Sequence, residues 1–348
     1  MNTKRLFAVV LAVALLYGAI ALLGDVRALR ATLSTFSWWT FAASLALSLG
    51  NYGLRFFKWD FYLRRLGIRD VPWAESVCIY IAGFSMSVTP AKAGEVFKSA
   101  LLASARGYPV ARTAPIVVAD RLTDLISLIA MVAIGGVLFP GGWIVALAAS
   151  SLVVALMLFV LVRPLGEWAI SQTERFATGR RLSPKMRESY AALRLLASPK
   201  ALLFPTAISA MAWALEALGL WLILIGLGTP APLALASFVY ATATLAGAVA
   251  MLPGGVGGAE ITMISLLVTL SHGSVAAPAA KAGTLLCRLA TLWFAVLLGA
   301  LALAWFRRNY DRHRDEREEP IYLGDDSSRG PSSSSPSSSA GSAVSTSS

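Results

Sequence analysis

The sequence predicts an all-α polytopic membrane protein folded as an inverted repeat, with about six full spans and two Pro/Gly-broken re-entrant hairpins. Three observations predict it. Of the 348 residues, 57% are hydrophobic and 14% charged, with a mean hydropathy of +0.67, a balance too apolar for a water-soluble globule. Two motifs in the two halves resemble each other: Thr89-Pro90-Ala91-Lys92-Ala93-Gly94-Glu95, and Leu252-Pro253-Gly254-Gly255-Val256-Gly257-Gly258-Ala259-Glu260. Each is a break ending in a glutamate amid apolar sequence, the sign of a transporter built from repeats. Basic residues, finally, collect on alternate connections.

Stretches of about 20 apolar residues, the length that crosses hydrocarbon, fall near 6–23, 37–55, 113–139, 143–162, 201–226 and 278–306. The first exceeds a signal-peptide core and runs into charged, non-cleavage-like sequence, so it reads as an uncleaved anchor. Two further stretches, about 73–105 and 233–271, are interrupted by the motifs and read as hairpins of two half-helices. Broken backbone at membrane depth persists only where protein or water satisfies it. Thr89 before Pro90 has the form of an N-cap with proline at the first helical position, so a half-helix is expected to begin there.

Lys4 and Arg5, then Arg55, Lys58, Arg64, Arg65 and Arg69, then the basic residues from Arg163 to Lys200, all fall on one side of this topology. The opposite connections hold little charge, so both termini are expected to be cytoplasmic. The repeat units, about 37–139 and 201–306, are then inverted copies within a transmembrane domain of residues 1–308, joined by a basic cytoplasmic linker at 163–200. Inverted repeats with broken helices are the geometry of alternating access. Residues 56–72 mix aromatic and basic side chains and read as an interfacial stretch. The Ser-rich tail, 309–348, cannot bury a core and is expected to be disordered.

The embedded charges supply the candidate site. Each motif glutamate is followed by a long helix with an arginine, at spacings of 121 − 95 = 26 and 288 − 260 = 28. Counted from Arg112, Asp120 lies about 12 Å and Asp124 about 18 Å along the helix. Asp120, Arg121 and Asp124 would each cost roughly 2.5–3.5 kcal/mol at such depth, so this helix needs partners. Arg121 can pair with Asp124 at i, i+3. The cluster is either a packing device or a substrate site, and intramembrane charges usually mark pathways. Arg121 and Arg288 offer planar forks for phosphate oxygens, one expected nearer each leaflet. Glu95 and Glu260 either cap helix starts or bind a cationic headgroup or a proton. Lys92, Glu95 and Lys98 share a face, which pairs Glu95. Gly254, Gly255 and Gly257 allow close backbone approach, to a headgroup or to a packed helix. The candidate substrate-binding set is therefore Arg121, Arg288, Asp120, Asp124, Glu95, Glu260, Lys92, Gly254, Gly255 and Gly257, with Glu216 and Lys281 as further intramembrane groups.

No catalytic, metal or cofactor site is expected. Cys78 and Cys287 lie in apolar segments, and His272 and His313 are isolated. The net charge of +11 comes with no nucleic-acid module, which points to anionic lipid rather than nucleic acid.

Taken together, Arg55-Phe56-Phe57-Lys58-Trp59, Pro90-x-x-x-Gly94-Glu95, Asp120-Arg121-x-x-Asp124, the 252–260 motif and Arg288 resemble the lysylphosphatidylglycerol synthase transmembrane region, over roughly residues 5–308. The resemblance implies a flippase-like protein of the inner (plasma) membrane. Its partners would be lipids with phosphate headgroups, and possibly a separate soluble lipid-modifying enzyme. The bifunctional synthases carry a soluble aminoacyltransferase domain that this sequence does not show after the last span, so lipid synthesis is not expected. Two alternatives stay open: a membrane subunit of a lipid- or glycan-modifying enzyme using Asp120, Asp124, Glu95 and Glu260 as acid–base groups, and a membrane scaffold or regulator.

Overall fold

The computed structural model describes residues 26–89, 95–136, 162–175, 177–250 and 253–318, with scattered positions between 137 and 161. The described chain runs α1 (Val26–Ser34), α2 (Trp38–Arg65), α3 (Trp73–Gly83), α4 (Phe97–Arg106), the single turn α5 (Val110–Thr113), α6 (Pro115–Gly136), α7 (Arg163–Thr173), α8 (Ala177–Leu196), α9 (Pro199–Gly226), α10 (Leu233–Val249), α11 (Gly258–Leu270), α12 (Ala277–Arg288) and α13 (Phe294–Glu318). No strand occurs among the described residues.

The main seam joins the first helices of the two proposed repeat units, α2 and α9, each 28 residues long. At 1.5 Å per residue each is about 42 Å long, more than the roughly 30 Å of a hydrocarbon core. They run antiparallel: Ser37 N donates to Gly226 O at 3.0 Å, Asn51 Nδ2 to Ala212 O at 2.7 Å, and Phe61 meets Phe204 ring to ring. Small residues let the backbones close. A Cβ at Gly226 would collide with Thr40, and one at Gly219 would press on Ser44 Oγ.

By length and composition, Lys200–Gly226 and Ala277–Asn309 are long and apolar enough to cross a membrane. The expected spans at 6–23 and, for the most part, 143–162 lie outside the described residues. Each of the two interrupted stretches holds two helices. In the first, α3 tightens into a 3₁₀ turn at Phe84–Met86, and α4 follows; in the second, α10 and α11 flank a turn at Pro253–Gly255.

The start of the half-helix anticipated at Thr89-Pro90 falls outside the described residues; α4 runs from Phe97, and the Thr89 hydroxyl donates to Met86 O at 2.7 Å. Residues 90–94 lie outside the described set. The 163–200 linker is largely helical and docked: Ser189 Oγ donates to Ala111 O at 2.7 Å, and buried Ala197 packs with Leu122 and Leu202. The last helix runs from Phe294 to Glu318. Contacts divide the chain at Arg308, and residues 309–318 are the described part of the second unit.

At the end of α2 the chain is tied by polar contacts. Arg106 Nη2 meets Glu75 Oε2 at 2.5 Å, and Arg112 Nη2 donates to Leu66 O at 2.5 Å. The Tyr108 hydroxyl donates to Asp70 and holds that carboxyl below its ordinary range.

Candidate functional site

The site starts from a stripe on α2. Thr40, Ser44, Ser48, Asn51, Arg55, Lys58 and Tyr62 recur every three or four residues, which places them on one helical face. That face is turned inward. Arg55 Nη1 reaches Asp124 Oδ2 at 2.8 Å, its Nε donates to Asn51 Oδ1 at 3.1 Å, and its guanidinium lies 4.5 Å over the Trp213 ring. Lys58 has no exposed surface. Its ammonium binds Asp120 Oδ1 at 2.6 Å, Asp124 Oδ1 at 3.0 Å and Ser209 Oγ at 2.6 Å. Asp120 and Asp124, one turn apart on α6, thus share one lysine.

This overturns two readings of the sequence. The second span does not end at Arg55, and residues 56–72 are not simply an interfacial stretch: Lys58, Trp59 and Tyr62 are core, while Arg64, Arg65 and Arg69 are exposed. A hydropathy run stops at its first charge, whereas the helix continues, because carboxylates from α6 meet its charges and offset their desolvation. The missed signal was the polar stripe itself.

The matching Glu-to-Arg spacings are matching ion pairs. Arg121 Nη2 lies 2.6 Å from Glu95 Oε2 and 2.8 Å from Oε1. Arg288 Nε lies 2.7 Å from Glu260 Oε1. The anticipated Arg121–Asp124 contact exists at 3.4 Å, but Asp124 sits nearer Arg55 and Lys58. Glu95 is ion-paired with Arg121 on the following long helix, while the ammonium of Lys98 rests on aromatic rings; Lys92 is outside the described residues. Arg121 Nε is buried with no hydrogen-bond acceptor.

The second pair is braced by backbone. Glu260 Oε2 accepts from Gly257 N at 2.7 Å, so this glutamate is both cap and counter-ion, and Arg288 Nη2 donates to Gly254 O at 2.5 Å. Gly254, Gly255 and Gly257 have φ of 63°, 67° and 92°, a region that favours glycine. A Cβ at Gly255 would press on the backbone of Gly247 at 3.3 Å, so these glycines close the break against α10. After Arg288 the helix widens into a π turn, Leu289–Trp293, where Thr291 O accepts from the Tyr52 hydroxyl at 2.7 Å. Such bulges are frequent at functional sites, and nothing in the sequence pattern marked this one.

Both pairs reach one cavity of about 280 Å³. Its wall carries four basic side chains (Arg55, Lys98, Arg121, Arg288) and four acidic ones (Glu95, Asp120, Asp124, Glu216), set among Tyr52, Tyr80, Phe84, Trp213 and Tyr240. Glu216 accepts from the Tyr240 hydroxyl at 2.9 Å. Gly254 and Gly255 belong to the wall; Glu260 stands behind Arg288, Gly257 behind Glu260, and Lys281 is exposed, away from the site. Arg121 and Arg288, expected in separate leaflets, line a common chamber. Among the described residues no group of three or more His, Cys, Asp or Glu is placed to hold a metal.

A helical bundle with two broken elements and a buried charge cluster around one chamber defines an integral membrane protein. Within that class the chain belongs to the lysylphosphatidylglycerol synthase transmembrane-region family, whose model matches residues 7–299. It is similar to a "UPF0104 membrane protein" of Methanothermobacter thermautotrophicus, 30% identical over 212 residues, 55% of this chain and 62% of that relative. The match therefore spans less than two thirds of that relative's length. A second relative of the same description and organism is 23% identical over 322 residues, 86% of this chain and 93% of its own.

Proposed function

We propose that the chain is a translocase of the inner membrane, moving a lipid with a phosphate-bearing headgroup, anionic or aminoacylated, between leaflets. The observation that carries this reading is convergence: Glu95 beside the first break, Arg121 on α6 and Arg288 at the end of α12 border one cavity. A binding chamber where two inverted halves meet can be exposed by rocking one half against the other. The frame is six spans and two hairpins entering from opposite faces, with both termini cytoplasmic. A cavity of about 280 Å³ lies at the small end of ligand pockets, so it takes a headgroup and leaves the acyl chains in hydrocarbon. Phosphate presents the same oxygen pair to a guanidinium as carboxylate does, so it replaces Glu95 on Arg121. The acid–base alternative draws less support, since Asp120 and Asp124 are held by Lys58 and Arg55.

The test is reconstitution of the full chain into phosphatidylcholine vesicles carrying a fluorescent phosphatidylglycerol, with leaflet exchange read by quenching from outside. Exchange is expected to require protein, to be lost in Arg121→Ala and Arg288→Ala, and to be partly kept by the lysine variants, which retain charge without the fork. Full exchange by both alanine variants at matched abundance overturns the reading.

A further inference from the structure

We infer that Lys98, not either motif arginine, is the primary anchor for the phosphate in this cavity. The inference rests on the translocase reading only for the source of that phosphate. Lys98 lies on α4, one turn beyond Glu95, and is 5% exposed. Its stem is clamped against the end of α3, where a Cβ on Gly83 would collide with Lys98 Cγ. The ammonium stands 5.0 Å over the Tyr80 ring and 5.5 Å over the Trp59 ring, at the cavity wall.

What separates Lys98 from its neighbours is its set of partners. Arg55, Lys58, Arg121 and Arg288 each hold a carboxylate at 2.6–2.8 Å. Lys98 forms no ion pair and no hydrogen bond with any described residue; its contacts are the two aromatic faces. An ammonium carries three N–H donors and accepts nothing, so all three are open. Aromatic faces attract a cation but do not replace acceptors, and a buried charge without acceptors is costly. An entering anion thus gains a charge-assisted contact at Lys98 without displacing a hydrogen-bonded partner among the described residues. At Arg121 or Arg288 it must first compete with a glutamate. The ligand chemistry is the non-bridging oxygen of a phosphate, taken by a compact point charge.

Binding, rather than transport, tests this on the purified full chain in detergent, using dihexanoyl-phosphatidylglycerol and inorganic phosphate as separate titrants followed by calorimetry. Wild-type protein is expected to bind the lipid. Lys98→Met should bind it about tenfold more weakly or worse, the worth of one charge-assisted hydrogen bond, at an unchanged or raised melting temperature. Lys98→Arg should keep most of the affinity. Gly83→Ala, which keeps the lysine but pushes its stem aside and so shifts the ammonium, should weaken binding in the same direction. Dependence of both titrants on Lys98 supports an anchor that reads phosphate itself; dependence of the lipid alone supports one that reads it within a headgroup. Equal binding by wild type and Lys98→Met overturns the inference, as does a wild type that binds neither titrant. Lys98-dependent binding by a protein that exchanges no lipid would sink the translocase reading alone. Lipid exchange with Lys98-independent binding would sink the anchor alone.

Discussion

The two breaks hold the same ion pair on different supports. In the second, three glycines turn the backbone so that a carbonyl meets Arg288 and an N–H meets Glu260. In the first, the support is side chains: Arg121 has Asp120 at 3.3 Å and Asp124 at 3.4 Å besides Glu95, and those aspartates are held by Arg55 and Lys58. Backbone support is fixed by chain geometry. Side-chain support can rearrange, so the first half is the adaptable side of the chamber and the second its rigid wall.

The largest expected effect breaks the side-chain support. Asp124→Ala leaves Arg55 without its carboxylate and Lys58 with one of two, an uncompensated buried charge worth about 3–5 kcal/mol. Abundance and melting temperature should fall steeply. Adding Arg55→Met should recover much of the loss, whereas adding Arg121→Ala should recover little, because Arg121 keeps Glu95. Better rescue by Arg121→Ala, read by thermal melting in detergent, would mean the partners are misassigned.

A smaller effect sharpens the contrast. Glu260→Gln has one carbonyl oxygen where two oxygens served Gly257 N and Arg288 Nε, and Arg288 has no second carboxylate among the described residues. It should cost about 1–3 kcal/mol, the range for stranding a buried partner. Glu95→Gln should cost less in stability, because two aspartates still face Arg121, and more in lipid exchange. Equal melting shifts for the two would show that the supports are equivalent.

The breaks, the Glu-to-Arg equivalence and the helical class were legible because they are local: glycine and proline interrupt apolar runs, and equal spacings imply equal geometry. The α2 charges were misread because hydropathy sees order along the chain but not which face a residue takes. Lys58 and Arg64 look alike in such a profile, yet six positions apart they fall on different faces, one buried against α6 and α9, the other exposed. The isolation of Lys98 was out of reach for a related reason. Its i−3 neighbour is a glutamate, and only the fold sends that glutamate to Arg121.

The smallest expected effect separates distance from environment. Arg163 Nε and Glu167 Oε1 on α7 stand 2.5 Å apart, closer than Arg288 and Glu260 at 2.7 Å. Their side chains are 68% and 42% exposed, against 14% and 13% for the inner pair. Water re-solvates either partner when the other is lost, and salt screens what attraction remains. The Arg163 hydrogen bond holds the Glu167 carboxyl below its ordinary value. The sign follows: whatever the pair adds is present above the usual glutamate range and fades as acid protonates the folded state. Glu167→Gln should therefore melt with wild type at neutral pH, in low and high salt alike. A drop as large as that of Glu260→Gln would show that contact distance alone sets the worth of an ion pair here, and the ranking by burial that distinguishes the chamber from the surface would fall.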